Sequence, residues 1–358
     1  MHVLCVTAIS DTPEIHLMRG LAQRGVNLHV VHDPREPRVE FLREGQIKTT
    51  ALAIKHRLDL RAIAALRTIM NERRYDLIYS PFNRGLSTSI LASLGMSIVF
   101  TTYRGTLGNL SYWDPSNLLA HLNPKVSAII CNCNAVKKSV HSIGVPEHKL
   151  HVIYKGHSTK WYQAPKRADL SAYPIPVDAA IVGCIANARS NKGIDVLLRA
   201  AKSVQLDREV HYLVVGDMRD SNLQQLVQNL GLESNVHFAG YRKDVNELIK
   251  CCDVTVVPSV RREGLARVII ESLSQRVPVI VTDVGGMPEV VIDRQCGLVV
   301  PPGDSHALAT AINELLSDDA VRKQLGEQGY QYIQNHLSPD QYHSKVYELF
   351  RSLLGKQG

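Results

Sequence analysis

The chain has 358 residues, of which 45% are hydrophobic and 21% are charged, and this composition excludes disordered and low-complexity proteins and predicts two globular domains. No apolar run approaches the roughly 20 residues that a transmembrane helix needs. The net charge of +7 is uneven, because residues 1–170 carry 22 Lys and Arg against 12 Asp and Glu, whereas residues 171–358 carry 19 against 22. The basic first half indicates an anionic partner, although a basic surface that only aids solubility stays open.

Residues 1–7 predict a first β-strand rather than a secretory signal, since they lack a basic segment and a small-residue cleavage site. The seven cysteines contain no Cys-x-x-Cys pair. We interpret them as reduced core residues and expect a cytoplasmic protein.

Short β-branched runs alternate with amphipathic stretches along the chain, as in βαβ units that build parallel sheets. The strands predicted in the first half are His2–Thr7, Asn27–His32, Asp76–Ser80, Ser97–Thr101, Ala128–Cys131 and Leu150–Tyr154. Those predicted in the second half are Ala179–Ile185, Val210–Gly216, Asn235–Gly240, Val254–Val257, Pro278–Val281 and Leu298–Val300. Each half therefore has enough strands for its own doubly wound sheet.

The boundary between the halves is predicted from a loss of periodicity. Prolines 165, 174 and 176 stand in a stretch of linker composition that covers residues 160–178. We expect an acceptor-binding domain over residues 1–165, a donor-binding domain over 166–337, and a final helix over 338–358. Two such domains would face each other across a central cleft, where open α/β sheets bind ligands.

Several common catalytic motifs are missing. The chain has no Gly-x-Gly-x-x-Gly fingerprint after strand one, no phosphate loop ending in Gly-Lys-Ser/Thr, and no Gly-x-Ser-x-Gly elbow, which argues against dehydrogenases, P-loop enzymes and α/β-hydrolases. Neither Asp-x-Asp nor a zinc-type spacing of His and Cys occurs. We expect no bound metal and no cofactor.

The most informative segment runs from Pro258 to Glu271, directly after a predicted strand. Gly264 allows a turn into a helix that is predicted to start near Leu265, and a helix start offers free amides to phosphate. Eight helical residues span about 12 Å, a distance suited to one carboxylate, Glu263, at a sugar and another, Glu271, at a ribose. The open alternative is that Glu271 pairs with a neighbouring Arg and Glu263 is solvated.

Two cations follow the strand predicted over Ala179–Ile185. Arg189 offers a planar fork to phosphate oxygens and Lys192 a compact point charge. Together they would neutralise a diphosphate leaving group, and the alternative is two exposed loop cations.

The second half closely resembles the carboxyl-terminal domain of the retaining group 1 glycosyltransferases, glycosyltransferase family four, over about residues 180–335. The resemblance rests on a series of motifs in the family's order: Arg189-x-x-Lys192-Gly193, Val215-Gly216-Asp217, Val236-His237-Phe238-Ala239-Gly240, Pro258-Ser259, Glu263-Gly264 followed by Glu271, Gly285-Gly286-Met287-Pro288-Glu289, and Gly297-Leu298-Val299-Val300-Pro301-Pro302-Gly303-Asp304. It implies the GT-B fold, in which two Rossmann-like doubly wound domains face a central cleft.

The resemblance also implies roles for individual residues. Arg189 and Lys192 would hold the donor diphosphate, Glu263 would contact the donor sugar, and Glu271 would contact the ribose. The backbone of Gly264, Leu265 and Ala266 would contact sugar and phosphate, and Tyr241 and Arg242 would lie near the base. The reaction would be a metal-independent, retaining transfer from a UDP- or GDP-sugar, and the last helix would return to the first domain.

The first half fits the family less closely, at two places. Ile9-Ser10-Asp11 replaces the usual Gly-Gly after strand one, and Arg104 stands where a histidine often faces the reacting sugar. An Arg does not act as a base near neutral pH, but it would hold an anionic group. Ser10, Asp11 and Arg104 are therefore predicted to lie in the cleft or at the acceptor.

The sequence thus predicts a hexosyltransferase-type enzyme of polysaccharide or lipopolysaccharide biosynthesis. Because basic residues crowd residues 55–74, we expect an anionic, lipid-linked glycan acceptor and peripheral contact with the inner membrane face. A sugar-nucleotide epimerase, a catalytically silent sugar-nucleotide binder and a polyanion-binding protein stay open as alternatives. Nucleic acid is not expected, because the basic residues are not interleaved with aromatics in any recognised module.

Overall fold

A computed structural model of the chain describes residues 1–219 and 222–355. It contains two compact units. The first unit comprises Met1–Gly156 and the segment that begins at Leu337, and the second unit is His157–His336. The units therefore divide nine residues before the predicted boundary at residue 165.

The proline-rich segment after Gly156 belongs to the second unit because hydrogen bonds join its backbone to other residues of that unit. The Lys250 ammonium donates to the carbonyl of Ala164 at 2.7 Å, and the amide of Ala168 donates to the carbonyl of Glu247 at 3.0 Å. The segment that has the composition of a linker is therefore attached to the second unit by these hydrogen bonds.

The first unit is built on a parallel sheet of seven strands in the order β3-β2-β1-β4-β5-β6-β7. These strands are β1 His2–Val6, β2 Asn27–His32, β3 Lys48–Ala51, β4 Leu77–Ser80, β5 Val99–Arg104, β6 Val126–Cys131 and β7 Leu150–Val152. The helices among them are α1 Thr12–Gln23, α2 Val39–Glu44, α3 Leu60–Glu72, α4 Asn83–Ala92, α5 Pro115–Leu118 and α6 Asn134–His141. Six of the seven strands were predicted, and β3 was not.

The second unit is built on a parallel sheet of six strands in the order β10-β9-β8-β11-β12-β13. These strands are β8 Ala180–Ile185, β9 Val210–Val215, β10 Val236–Gly240, β11 Val254–Val257, β12 Val279–Thr282 and β13 Gly297–Val300. The helices are α7 Ile194–Ala201, α8 Leu223–Leu230, α9 Val245–Ile249, α10 Arg267–Ser274, α11 Ser305–Ser317 and α12 Asp319–His336. All four residues of β11 and of β12 are buried, as expected for parallel strands covered on both faces.

The final helix, α13, spans Pro339–Gly355 and packs on α1 of the first unit. Gly20 of α1 allows this contact, because a Cβ there would lie 2.1 Å from the His343 ring. Phe350 is fully buried, with its ring 5.7 Å from that of Tyr79 on β4. None of the helices in the described part of the chain is both long enough and apolar enough to cross a bilayer.

Candidate functional site

The candidate site lies at the carboxyl edge of the second sheet, where the strand order reverses. The chain runs outward from β8 through β9 to β10 and then returns to β11 on the other side of β8. Open α/β sheets bind ligands at such a switch point, outside the carboxyl ends of the strands. The loop after β8 and the loop after β11 meet here, since the amide of Val260 donates to the carbonyl of Asn191 at 2.9 Å.

Gly193 permits this close approach of the two loops. Its φ is +65°, and a Cβ at this position would lie 1.9 Å from the carbonyl oxygen of Pro258. A side chain would therefore meet both a left-handed backbone and a backbone clash. The predicted Lys192-Gly193 motif is thus explained by packing as well as by chemistry.

Lys192 and Glu263 form an ion pair across the switch point. The Lys192 Nζ lies 2.6 Å from Glu263 Oε2, and the hydroxyl of the fully buried Ser259 donates to the same oxygen at 3.0 Å. The two charged side chains are 24% and 12% exposed. Glu263 is therefore not a solvated loop residue.

Arg189 lies at the start of the 3₁₀ turn Ser190–Lys192 and is exposed. Within residues 1–219 and 222–355, its guanidinium makes no hydrogen bond or ion pair. The charge of Arg189 is therefore available to an anion at this edge.

The helix after Gly264 begins two residues later than predicted. Residues 264–266 precede the helix, and Ala266 is the extended N-cap residue of α10, which starts at Arg267. Ala266 has no side-chain oxygen to cap the first amides of the helix. Gly264 is fixed to the turn after β12, because its carbonyl accepts a hydrogen bond from the Gly286 amide at 2.7 Å.

Glu271 lies in the middle of α10 and is buried, with 7% of its surface exposed. Burial raises the pKa of its carboxyl, and the ion pair with Arg267, 2.9 Å away, opposes that rise. This Arg partner agrees with one part of the alternative raised from the sequence. Arg267 itself is largely exposed, and a carboxylate can accept hydrogen bonds from more than one partner.

A pocket of about 850 Å³ opens at the carboxyl ends of β8, β9 and β10. Asn187, Gly216 and Tyr241 line it, each from the loop after a different strand. Tyr241 is 75% exposed. Arg242 instead pairs with Asp244, its guanidinium 2.6 Å from that carboxylate, and this pair raises the pKa of the arginine.

The residues predicted at the acceptor make contacts within the first unit. The amide of the buried Ser10 donates to Glu36 at 2.7 Å. Asp11 is the N-cap residue of α1, and Lys155 lies 2.7 Å from its carboxylate. Arg104 is 7% exposed and donates to the carbonyl of Gly108, and burial lowers its pKa. The structure thus gives Ser10 and Asp11 structural contacts and buries most of Arg104.

Sequence reasoning assigned no role to Ser259 or Asn187. The Asn187 side-chain oxygen accepts a hydrogen bond from the Asp217 amide at 2.9 Å, which joins the loops after β8 and β9. Both residues follow a buried strand within two positions, and this position is the signal that would have found them. In the described ranges, no group of three or more His, Cys, Asp or Glu side chains is arranged to hold a metal ion.

Comparison with family models matches both units. Residues 165–332 match the model of glycosyl transferases group 1, and residues 15–161 match the model of glycosyltransferase family 4. A lipopolysaccharide core biosynthesis glycosyltransferase of Rhizobium meliloti is 29% identical over 243 residues, covering 68% of this chain and 69% of that protein. An N-acetyl-alpha-D-glucosaminyl L-malate synthase of Bacillus anthracis is 26% identical over 261 residues, covering 71% and 68%.

Solved structures with the same fold cover nearly the whole chain. A glycosyltransferase from Rickettsia africae superposes with a TM-score of 0.83 at 19% identity, covering 99% of this chain and 98% of that one. The Anabaena protein HepE in complex with UDP superposes with a TM-score of 0.78 at 21% identity, covering 98% and 100%. With the two parallel sheets described above, these likenesses confirm the predicted GT-B fold.

Proposed function

The chain belongs to the group 1 glycosyltransferases, and on this premise we propose that it transfers a sugar from a nucleotide-sugar to an acceptor hydroxyl with retention of configuration. The acceptor is a cell-surface or lipopolysaccharide glycan. The relative from Rhizobium meliloti, named for lipopolysaccharide core biosynthesis, supports this class of acceptor. The Anabaena structure in complex with UDP supports a nucleotide donor.

The observation that carries this proposal is the Lys192–Glu263 pair at the switch point. It places a cation and a carboxylate at the edge that also holds the exposed Arg189 and the pocket lined by Tyr241. A nucleotide in that pocket would direct its diphosphate toward Arg189 and Lys192. The sugar beyond the diphosphate would then meet Glu263.

The chemical step breaks the bond between the anomeric carbon and a diphosphate oxygen. The acceptor hydroxyl oxygen bonds to the same face of that carbon, and its proton goes to the departing diphosphate. Negative charge develops on the leaving group, so the preorganised cations Arg189 and Lys192 lower the barrier. Since two cations perform this neutralisation, the proposal includes no metal ion.

The remaining donor contacts follow from the position of α10. The backbone amides of Gly264, Leu265 and Ala266, at the uncapped start of α10, would donate hydrogen bonds to phosphate or sugar oxygens. Glu271 would accept hydrogen bonds from the ribose hydroxyls, and the ring of Tyr241 would contact the base. Arg242 would stabilise the loop after β10 through Asp244.

The acceptor is proposed to be anionic and lipid-linked, because the first half of the chain holds 22 of the 41 Lys and Arg against only 12 of the 34 Asp and Glu. The enzyme would then work on the cytoplasmic side of the inner membrane in peripheral contact with it. A largely buried Arg104 would act on such an acceptor only through the part of its guanidinium that stays accessible.

The donor is tested by thermal unfolding with UDP-, GDP-, ADP- and dTDP-glucose, each at several concentrations. A ligand at 100 times its Kd stabilises the folded state by about 2.7 kcal/mol. We expect one nucleotide series to raise Tm. If none of them does, the donor assignment is wrong. Retention is tested by NMR of the product, which should keep the anomeric configuration of the donor.

A further inference from the structure

One edge of the first unit exposes a cluster of large apolar side chains. Trp113 is 96% exposed, and Leu60 and Leu58 are 76% and 56% exposed. Tyr112 and Leu118, on either side of Trp113 in sequence, are also exposed. We refer to these five residues as the apolar edge.

The two segments of the apolar edge are joined although about 55 residues separate them in sequence. The guanidinium of Arg57, in the turn before α3, donates to the carbonyl of Ser116 in α5. This hydrogen bond ties the turn that carries Leu58 to the short helix α5, which follows Trp113 in the chain and ends at Leu118. The exposed apolar residues therefore lie on two segments that contact each other.

Cations lie beside Leu58 and Leu60 of the apolar edge. Lys55 and Arg61 are exposed, and Arg84 is attached to the same turn through a 2.8 Å hydrogen bond from its guanidinium to the Lys55 carbonyl. Residues 52–71 and 77–130 contain one acidic residue each. These are Asp59, a buried N-cap of α3, and Asp114, whose carboxylate accepts from the Ser116 amide and the Asn117 side chain. The two segments of the apolar edge therefore carry exposed apolar side chains together with a net positive charge.

We propose that the apolar edge inserts into the interface of an anionic bilayer, with Trp113 as the main anchor. The inference deepens the proposed function, since it rests on a lipid-linked acceptor and identifies the surface that reaches it. An indole suits the boundary between headgroups and acyl chains, and apolar insertion and basic charge together determine interfacial binding. Soluble glycan stacking on Trp113 is the competing use of this residue, and the test below includes it as an outcome.

The chain makes a direct test possible because Trp113 and Trp161 are its two tryptophans. The Trp161→Phe variant reports emission from Trp113 alone. With vesicles of phosphatidylcholine containing 30 mol% phosphatidylglycerol, we expect the emission to shift to shorter wavelength. Brominated phosphatidylcholine in the same vesicles should quench it. Unchanged emission while the protein sediments with the vesicles would overturn the proposal.

The Trp113→Ala variant measures the contribution of the anchor. Its partition coefficient for the anionic vesicles should fall roughly tenfold, the effect of losing one large buried side chain. Val177→Ala serves as the matched control, because Val177 is also fully exposed and lies in the second unit. Equal partitioning of the two variants would contradict the proposal, as would a Trp113 emission shift caused by maltoheptaose but not by vesicles.

A series of salt concentrations distinguishes apolar insertion into the bilayer from electrostatic attraction to its surface. Binding to anionic vesicles should weaken with added NaCl, while the blue-shifted emission of the bound Trp113 persists. Loss of the shift at a salt concentration where protein is still bound would contradict insertion. The nucleotide-induced rise in Tm is measured without vesicles, so failure of the membrane inference and failure of the donor assignment are distinguishable.

Discussion

Replacing Lys192 by Met should separate what the Lys192–Glu263 pair does for stability from what it does for turnover. Methionine keeps much of the length and the apolar stem of lysine but removes the charge. Among residues 1–219 and 222–355, it therefore leaves Glu263, 12% exposed, with the Ser259 hydroxyl as its remaining close donor. The variant changes the electrostatics of the switch point with little change in packing.

The cost in stability follows from partial burial of the pair. Exposed pairs contribute about 0.2–1 kcal/mol, whereas removing one partner of a fully buried pair costs about 3–5 kcal/mol. With side chains 24% and 12% exposed, we expect an intermediate loss of about 1–3 kcal/mol. For a unit of this size, that loss lowers Tm by about 2–12 °C.

The Lys192→Met substitution should raise the barrier to turnover by more free energy than it removes from stability. The loss of turnover should not depend on the loss of stability. Losing one preorganised charge-stabilising donor costs about 2.7–4 kcal/mol of transition-state stabilisation, or roughly 10²–10³ in kcat. The assay is release of nucleoside diphosphate from the donor identified by thermal unfolding. Lys192→Met/Glu263→Gln should recover part of Tm, since it leaves no unpaired charge, but it should not recover kcat.

The control is Lys202→Met, because Lys202 is exposed at the end of α7. It should change Tm and kcat little. A Lys192→Met enzyme with kcat within threefold of the wild type would refute the assignment. Full recovery of kcat in the double variant would show that Lys192 acts only by neutralising Glu263.

Three further predictions follow from the same site. Gly193→Ala should lower Tm more than Gly231→Ala, because both glycines have φ near +65° but only Gly193 faces a backbone oxygen at 1.9 Å. An equal loss of Tm in the two variants would show that the clash with the backbone oxygen does not destabilise Gly193→Ala. Glu271→Gln should weaken donor binding yet leave Tm at pH 7 equal or higher, because burial raises the pKa of the carboxyl and ionising it opposes folding. This benefit should vanish below about pH 4.5, where the unfolded carboxyl is also protonated, and a Tm difference independent of pH would contradict it. Activity should survive EDTA, and loss of activity that Mg²⁺ or Mn²⁺ restores would show that Arg189 and Lys192 are not sufficient.

The sheets could be predicted from the sequence because most of their strands are buried on both faces. Such strands are rich in apolar and β-branched residues, and β2 and β11 begin and end at the predicted residues. Strand β3, Lys48-Thr49-Thr50-Ala51, was missed because it lies at the sheet edge, and none of its residues is buried. Its polar sequence gives no sign of pairing with β2.

The site could be predicted only in part, because its geometry depends on contacts between distant segments. The spacing of Arg189 and Lys192 after β8 indicated an anion site, but the ion pair with Glu263, 71 residues away, requires β8 and β11 to be neighbours. Ser10 and Asp11 show contacts that the sequence did not reveal. Their place after β1 predicts ligand contact, which stays a prediction, and the structure adds that Asp11 caps α1 and that the Ser10 amide donates to Glu36.

The attachment of α13 to the first unit has a consequence for biosynthesis. The core that includes Tyr79 and Leu17 is closed by Phe350 and Tyr342 of α13, and these residues leave the ribosome only after the whole of His157–His336 has been translated. At about 5–20 residues per second, these 180 residues delay closure by about 9–36 s. The second unit, which is continuous in sequence, is therefore the one able to complete its fold first, while the first must wait as an incomplete nascent domain that chaperones would recognise.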